Sequence, residues 1–177
     1  MVTTRGVASL VPVLAAVLVT GCSAGAPAAR SGAAAGVVGT VREGGVTVVL
    51  AWSVGRGGEP VLTARFTPQQ PGFHLYSATL PANGVDGVGR PTRLEVGGAL
   101  APVGAGVADA RPESLRVSGV DRPLEVYPDG PVTVRQQVRV TPGRPSLVWV
   151  TYAACSRTTC LPPVIRHRVD VALPGPS

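Results

Sequence analysis

Apolar and polar residues alternate with a period of two along much of the chain beyond residue 36, the spacing of a strand with one buried face. Val46, Val48, Leu50, Trp52 and Val54 share one face of a run whose other face carries Thr47, Ala51 and Ser53. The clearest run is Pro131 to Val140, where Val132, Val134, Val138 and Val140 alternate with Thr133, Arg135, Gln137 and Arg139, and Gln136 is the one polar residue on the apolar face. The same pattern predicts strands over Val61 to Thr67, Phe73 to Thr79, Thr92 to Val96, Leu124 to Tyr127, Ser146 to Ala154 and Val164 to Leu173. Gly and Pro clusters separate them, as in Pro68-Gln69-Gln70-Pro71-Gly72 and Thr141-Pro142-Gly143-Arg144-Pro145. Gly97 to Pro112 is rich in Gly, Ala and Pro and poorly patterned, which predicts a long loop or an irregular edge. No stretch in this region keeps a helical period. About seven to nine short strands with turn signals therefore predict an all-β sandwich, with an immunoglobulin-like topology as the default arrangement.

The first 36 residues follow a different pattern. Arg5 precedes an apolar run from Gly6 to Val19 that ends in Val19-Thr20-Gly21-Cys22. The run is shorter than the roughly 20 apolar residues a spanning helix needs. A basic start, an apolar middle and small residues before a cysteine resemble the lipobox of bacterial lipoprotein signal peptides. That resemblance implies a signal peptide over residues 1–21, its removal before Cys22, and acylation of the Cys22 sulfur. The protein is then expected to be lipid-anchored on the outer face of the cell membrane, since two or three acyl chains hold what one chain binds only marginally. The alternative is an ordinary secretory signal with a chance cysteine, which does not explain why the apolar run stops at that residue. Residues 22–36 contain no large apolar side chain and read as a flexible tether. Residues 37–177 remain, enough for one hydrophobic core.

Composition changes this picture in two places. With 45% hydrophobic residues, disorder throughout is excluded, and 23 Gly with 18 Pro argue against a long helical bundle. The net charge of +6 comes from arginine alone, for there is no lysine. Those arginines are scattered singly through strands and turns with few aromatics to stack bases, so no nucleic-acid partner is expected. All-arginine, Ala/Gly/Val/Pro-heavy usage fits a GC-rich genome more simply, and attraction to an anionic surface is at most non-specific. The three cysteines cannot all pair within one chain. Assigning Cys22 to a lipid leaves Cys155 and Cys160.

That pair sits in Val150-Thr151-Tyr152-Ala153-Ala154-Cys155-Ser156-Arg157-Thr158-Thr159-Cys160-Leu161-Pro162-Pro163. A β run enters the first cysteine, polar residues turn the chain, and a second β run leaves. Across a tight antiparallel hairpin such residues lie about 4.5–5.5 Å apart between Cα atoms, within the range a disulfide accepts. Export provides a compartment where it can form. Closing so short a loop stabilises the fold by only about 2 kcal/mol through chain entropy. A short, polar, exposed loop also lets an attacking thiolate approach a sulfur in line, and Arg157 within it favours a thiolate, though an exposed turn-tip charge has little reach through water. On spacing alone, a structural hairpin disulfide in a binding or structural lipoprotein and a redox pair remain equally open.

The segment from Val150 to Pro163 resembles the active-site segment of the N-terminal periplasmic domains of the DsbD thiol:disulfide interchange proteins, a Val/Thr-Tyr-Gln-x-Cys stretch followed after a short gap by Cys-x-Pro-Pro. Pro71-Gly72-Phe73-His74-Leu75-Tyr76 is similar to the family's Gly-aromatic-x-Leu/Ile-Tyr strand, and Leu124-Glu125-Val126-Tyr127 is a weaker third match in the same order. The resemblance spans about residues 40 to 173 and implies an immunoglobulin-like domain whose cysteine pair passes electrons between thioredoxin-like proteins. Cys160 then forms the mixed disulfide with a partner, Cys155 resolves it, and Tyr76 and His74 stand where the family places aromatics beside the pair. Ala153 replaces the common Gln. The family's cap-loop aromatic has no counterpart between Arg90 and Val126, leaving Val120 or Leu124 as substitutes. The membrane-spanning and thioredoxin portions of the full-length family proteins have no counterpart here, so a separate thioredoxin-like protein or membrane thiol transporter is the expected partner.

Other chemistries find less support. His74 and His167 are the only histidines, and with two cysteines they suggest at most a soft-metal site. Met1, the sole methionine, is lost with the signal, so a methionine-rich copper site is not expected, and no metal or other cofactor is assigned. No nucleophile elbow supports a serine hydrolase, and the glycines around Gly55-Arg56-Gly57-Gly58 lack the lysine of a phosphate loop.

Overall fold

The computed structural model describes Met1 and residues 36–173. The expected signal peptide, the lipidation at Cys22 and the tether as far as residue 35 lie outside the described residues. All strands belong to one compact unit. In chain order they are β1 (Val37–Glu43), β2 (Val46–Val54), β3 (Pro60–Pro68), β4 (His74–Leu75), β5 (Arg93–Gly98), β6 (Leu100–Pro102), β7 (Val107–Ala108), β8 (Glu113–Leu115), β9 (Leu124–Val126), β10 (Val132–Val140), β11 (Ser146–Tyr152), β12 (Ala154–Cys155) and β13 (Val164–Val169). Among the described residues there is no helix.

The protein is an all-β sandwich, and every pairing between these strands is antiparallel. The larger sheet runs β1-β2-β3-β10-β6, with β7 also beside β10, and the second runs β13-β11-β5. The two small ladders, β12-β4 and β8-β9, build the region around the cysteines. Alternation places Leu50, Leu62, Ala64, Phe66, Val132 and Val134 of the first sheet in the same buried cluster as Leu94, Val148, Val150 and Tyr152 of the second. Phe66 and Tyr152 meet edge to face across it, 5.6 Å between ring centroids. Tyr152 Oη donates to the Glu43 carbonyl at 3.0 Å. Burial and the Glu43 charge push that phenol up to about 12, so it stays a neutral donor.

The predicted runs at β2, β3, β5, β9, β10 and β13 are present with ends shifted by a few residues. β1 and the end of β11 differ from that reading, each for a physical reason, while the irregular edge expected over Gly97 to Pro112 is present. β1 carries no clear alternation because it is an edge strand burying only Val41; it joins β2 through Gly44 and Gly45, both at positive φ, as a two-residue hairpin requires. A Cβ on Gly44 would stand 2.6 Å from the Pro162 carbonyl oxygen, so glycine also lets the segment after Cys160 approach. The Gly97 to Pro112 stretch is an irregular edge along β10 that bows out between β6 and β7. There the buried Gln136 donates from Nε2 to the carbonyl oxygens of Gln137 at 2.8 Å and Gly104 at 3.3 Å, which accounts for a polar residue on an apolar face. The run expected from Ser146 to Ala154 is broken at Ala153, where the chain leaves the β13-β11-β5 sheet and pairs with β4 instead. A bulge precedes the break, with the Arg166 N–H donating to Thr151 Oγ1 at 3.0 Å.

Phe66→Ala removes the ring that spans the two sheets. It is expected to cost about 3–5 kcal/mol of unfolding free energy, read from the urea midpoint of the oxidised protein.

Candidate functional site

The switch of sheets at Ala153 delivers Cys155 to the edge of β4, so that Ala154 pairs with Leu75 and Cys155 with His74. On the other side of β4 runs the segment from Leu124 to Tyr127, with Tyr127 N–H donating to the Leu75 carbonyl at 2.8 Å and Ser77 N–H to the Glu125 carbonyl at 2.9 Å. Three stretches far apart in sequence thus lie side by side: the cysteine segment, Phe73 to Tyr76, and Leu124 to Tyr127. The strand predicted over Phe73 to Thr79 is much shorter, because the chain turns at Ser77, whose carbonyl accepts from Leu80 N–H at 3.1 Å.

Cys155 and Cys160 are joined in a disulfide, with Cα atoms 4.1 Å apart in an antiparallel bridge. The intervening turn is self-supporting. Ser156 N–H donates to the Thr159 carbonyl at 2.7 Å, and the Ser156 hydroxyl accepts from the Thr159 N–H at 3.1 Å. Beyond Cys160, Leu161 N–H donates to the Ala154 carbonyl at 3.0 Å. The two sulfurs occupy different surroundings. Cys155 is 2% exposed, within a satellite apolar cluster of Tyr76, Leu80, Val85, Leu124, Val126 and Ala153. Cys160 and Arg157 are exposed.

Tyr76 is 1% exposed and donates from Oη to Cys155 Sγ at 3.0 Å; the same oxygen lies 4.0 Å from Cys160 Sγ. Burial raises its pKa, which keeps the phenol protonated as a donor. Its ring fits because residue 89 is glycine: a Cβ there would come within 2.7 Å of the ring. His74, buried beside it, meets Tyr76 edge to face at 5.7 Å, with Nδ1 3.8 Å from Asp129 Oδ1. Desolvation lowers the His74 pKa and outweighs the opposite pull of Asp129, so the imidazole is neutral at neutral pH.

A cleft of about 540 Å³ opens beside the disulfide, walled by Tyr76, Leu115, Val117, Arg116 and the turn bearing Arg157. A smaller one of about 260 Å³ lies on the other side, between Val88 to Arg90 and Leu161. The two side chains expected to stand in for a cap aromatic do not reach the cleft: Leu124 is fully buried beneath it and Val120 packs beside that cluster. Leu115, Val117 and Val88 line it instead. The pattern offers no sign of them, since they lie on short irregular segments.

His167 is on β13, half-exposed, with Nδ1 2.8 Å from Glu43 Oε2. The two histidines therefore serve different sheets. Among the described residues no group of three or more His, Cys, Asp or Glu side chains is placed to hold a metal.

Tyr76→Phe keeps the ring and deletes the donor. A hydrogen bond to a charged acceptor contributes about 1.5–3 kcal/mol, so the Cys155 thiol of the reduced variant is expected to titrate about 1–2 pH units higher, measured by thiolate absorbance. His74 gives the fold an acid sensitivity. The unfolded chain takes up this proton near the ordinary value of 6.5 and the folded chain only at a lower pH, so stability present above that value is lost as pH falls towards the folded pKa. His74→Phe is expected to flatten that slope in urea midpoints measured at about pH 7 and about pH 5.

No family model, curated protein or solved structure gives a significant match to this chain.

Proposed function

We propose that the chain is an extracytoplasmic thiol:disulfide exchange domain of the DsbD N-terminal type, with an immunoglobulin-like sandwich, held at the membrane through a lipid on Cys22. The observation that carries this reading is the asymmetry of the two sulfurs: Cys160 is exposed, while Cys155 is buried and accepts a hydrogen bond from Tyr76. The juxtaposition of the three segments that resemble the family adds to it.

A partner thiolate attacks Cys160 Sγ in line with the disulfide. The Cys155–Cys160 bond breaks and Cys155 leaves as a thiolate, which the Tyr76 hydroxyl stabilises; a better-stabilised leaving thiolate leaves faster. The partner's second thiolate then attacks its own sulfur in the mixed disulfide, expelling Cys160. Two electrons pass to this chain, and the partner becomes a disulfide. The reverse sequence hands the electrons on. Partners are thioredoxin-like proteins or a membrane thiol transporter, and the exposed Cys160 beside an apolar-walled cleft is where their active-site cysteine docks. Arg157, on the turn between the cysteines, favours the anionic state of the site.

Cys155→Ala leaves Cys160 free to attack a partner disulfide with no resolving sulfur. It is expected to accumulate a mixed disulfide with a thioredoxin-like protein, detected by non-reducing electrophoresis, whereas Cys160→Ala does not. A reduction potential below about −300 mV for the wild-type pair, with no reduction by thioredoxin, would mark a structural staple and overturn the reading.

A further inference from the structure

Exchange as described employs both sulfurs and the Tyr76 hydroxyl, and of the two buried side chains with an unpaired polar atom, Thr92 and His74, it is His74 that lines the cleft beside the disulfide. His74 is 5% exposed, and its Nε2 has no hydrogen-bond partner. Buried polar groups are ordinarily paired, and one that no protein group satisfies beside a disulfide is a candidate for a redox role. The register places His74 directly opposite Cys155, and such cross-strand partners have Cβ atoms about 4.5–5.5 Å apart on one face. Both residues also line the cleft beside the disulfide.

We propose that His74 holds the proton that accompanies reduction of the disulfide: as Cys155 becomes a thiolate, the His74 imidazole becomes an imidazolium and pairs with it. This use of the pair rests on the exchange reading. A donor dithiol supplies two electrons and two protons. The electrons break the Cys155–Cys160 bond, one proton ends on Cys160 as a thiol, the other on His74, and the donor leaves as a disulfide. When the reduced chain passes its electrons on, the same two protons leave with them.

The groups facing His74 leave it this role. Asp129, after β9, stands 3.8 Å from its Nδ1 and is largely exposed, and Glu113 of β8 and Tyr127 line the neighbouring cleft. Tyr76, two residues along, stays protonated because burial raises its pKa. Arg116 and Arg157 line the same cleft and favour a thiolate, but a guanidinium neither gains nor loses a proton. In the oxidised protein desolvation therefore prevails and the imidazole is neutral. Reduction places an anion beside it, which reverses the balance, and of these groups the imidazole is the one whose charge changes near neutral pH.

The test follows the imidazole Cε1–H resonances by NMR through a pH titration of the oxidised protein and of the protein reduced with a phosphine. His167, paired with Glu43 on β13, is the internal reference. His74 is expected to titrate about 1–3 pH units higher in the reduced protein, with His167 unchanged. An identical His74 titration in both states overturns the proposal. In reduced His74→Gln the Cys155 thiol is expected to titrate higher than in wild type; an unchanged value counts against the pairing, and the wild-type titration does not depend on that variant folding. If His74 shifts on chemical reduction while no thioredoxin-like partner exchanges with the pair, the exchange reading falls and the pairing stands. If exchange proceeds and His74 does not shift, the pairing alone falls.

Discussion

A single stretch of backbone, Ser146 to Cys155, has to serve two sheets in succession, and the rest of the molecule is arranged around that requirement. Up to Tyr152 it is the central strand of β13-β11-β5, with Val148, Val150 and Tyr152 in the main core. Two residues later it is the partner of β4, and Cys155 lies in a separate apolar cluster. Because Tyr152 is fixed by Phe66 and by its bond to Glu43, the start of the cysteine hairpin inherits the rigidity of the sandwich. The cysteine pair is placed by a core strand running out of its sheet rather than by a free loop.

The site divides its polar groups between burial and exposure. Tyr76 and His74 are sunk beside Cys155, where a low dielectric strengthens each interaction and penalises charge. Cys160, Arg157 and Arg116 face solvent, where charges attract partners but bind them weakly. One sulfur is therefore governed by the interior and the other by the surface.

Much of the fold could be read from alternation because the long strands each bury one face. β2, β3 and β10 are visible for that reason. β1 is not, since an edge strand that buries one valine leaves no period to detect. The pieces of two or three residues, β4, β6, β7, β8, β9 and β12, are too short to show a period of their own. Four of them, β4, β8, β9 and β12, build the site. The cysteine hairpin was legible from spacing and turn residues, and Tyr76 and His74 from resemblance alone. The pairing of His74 with Cys155 depends on register, which the sequence does not display, and the roles of Leu115 and Val117 depend on where an irregular segment happens to fold back.

The turn between the cysteines holds its shape through Ser156 and through the Leu161–Ala154 hydrogen bond, and neither includes the sulfur–sulfur bond. Pro162 beyond it rests against the β1–β2 turn at Gly44. Breaking the disulfide thus frees two sulfurs without freeing the backbone that carries them. Each remains at high effective concentration with respect to the other. A third sulfur that bonds to either one therefore faces an intramolecular rival already in place.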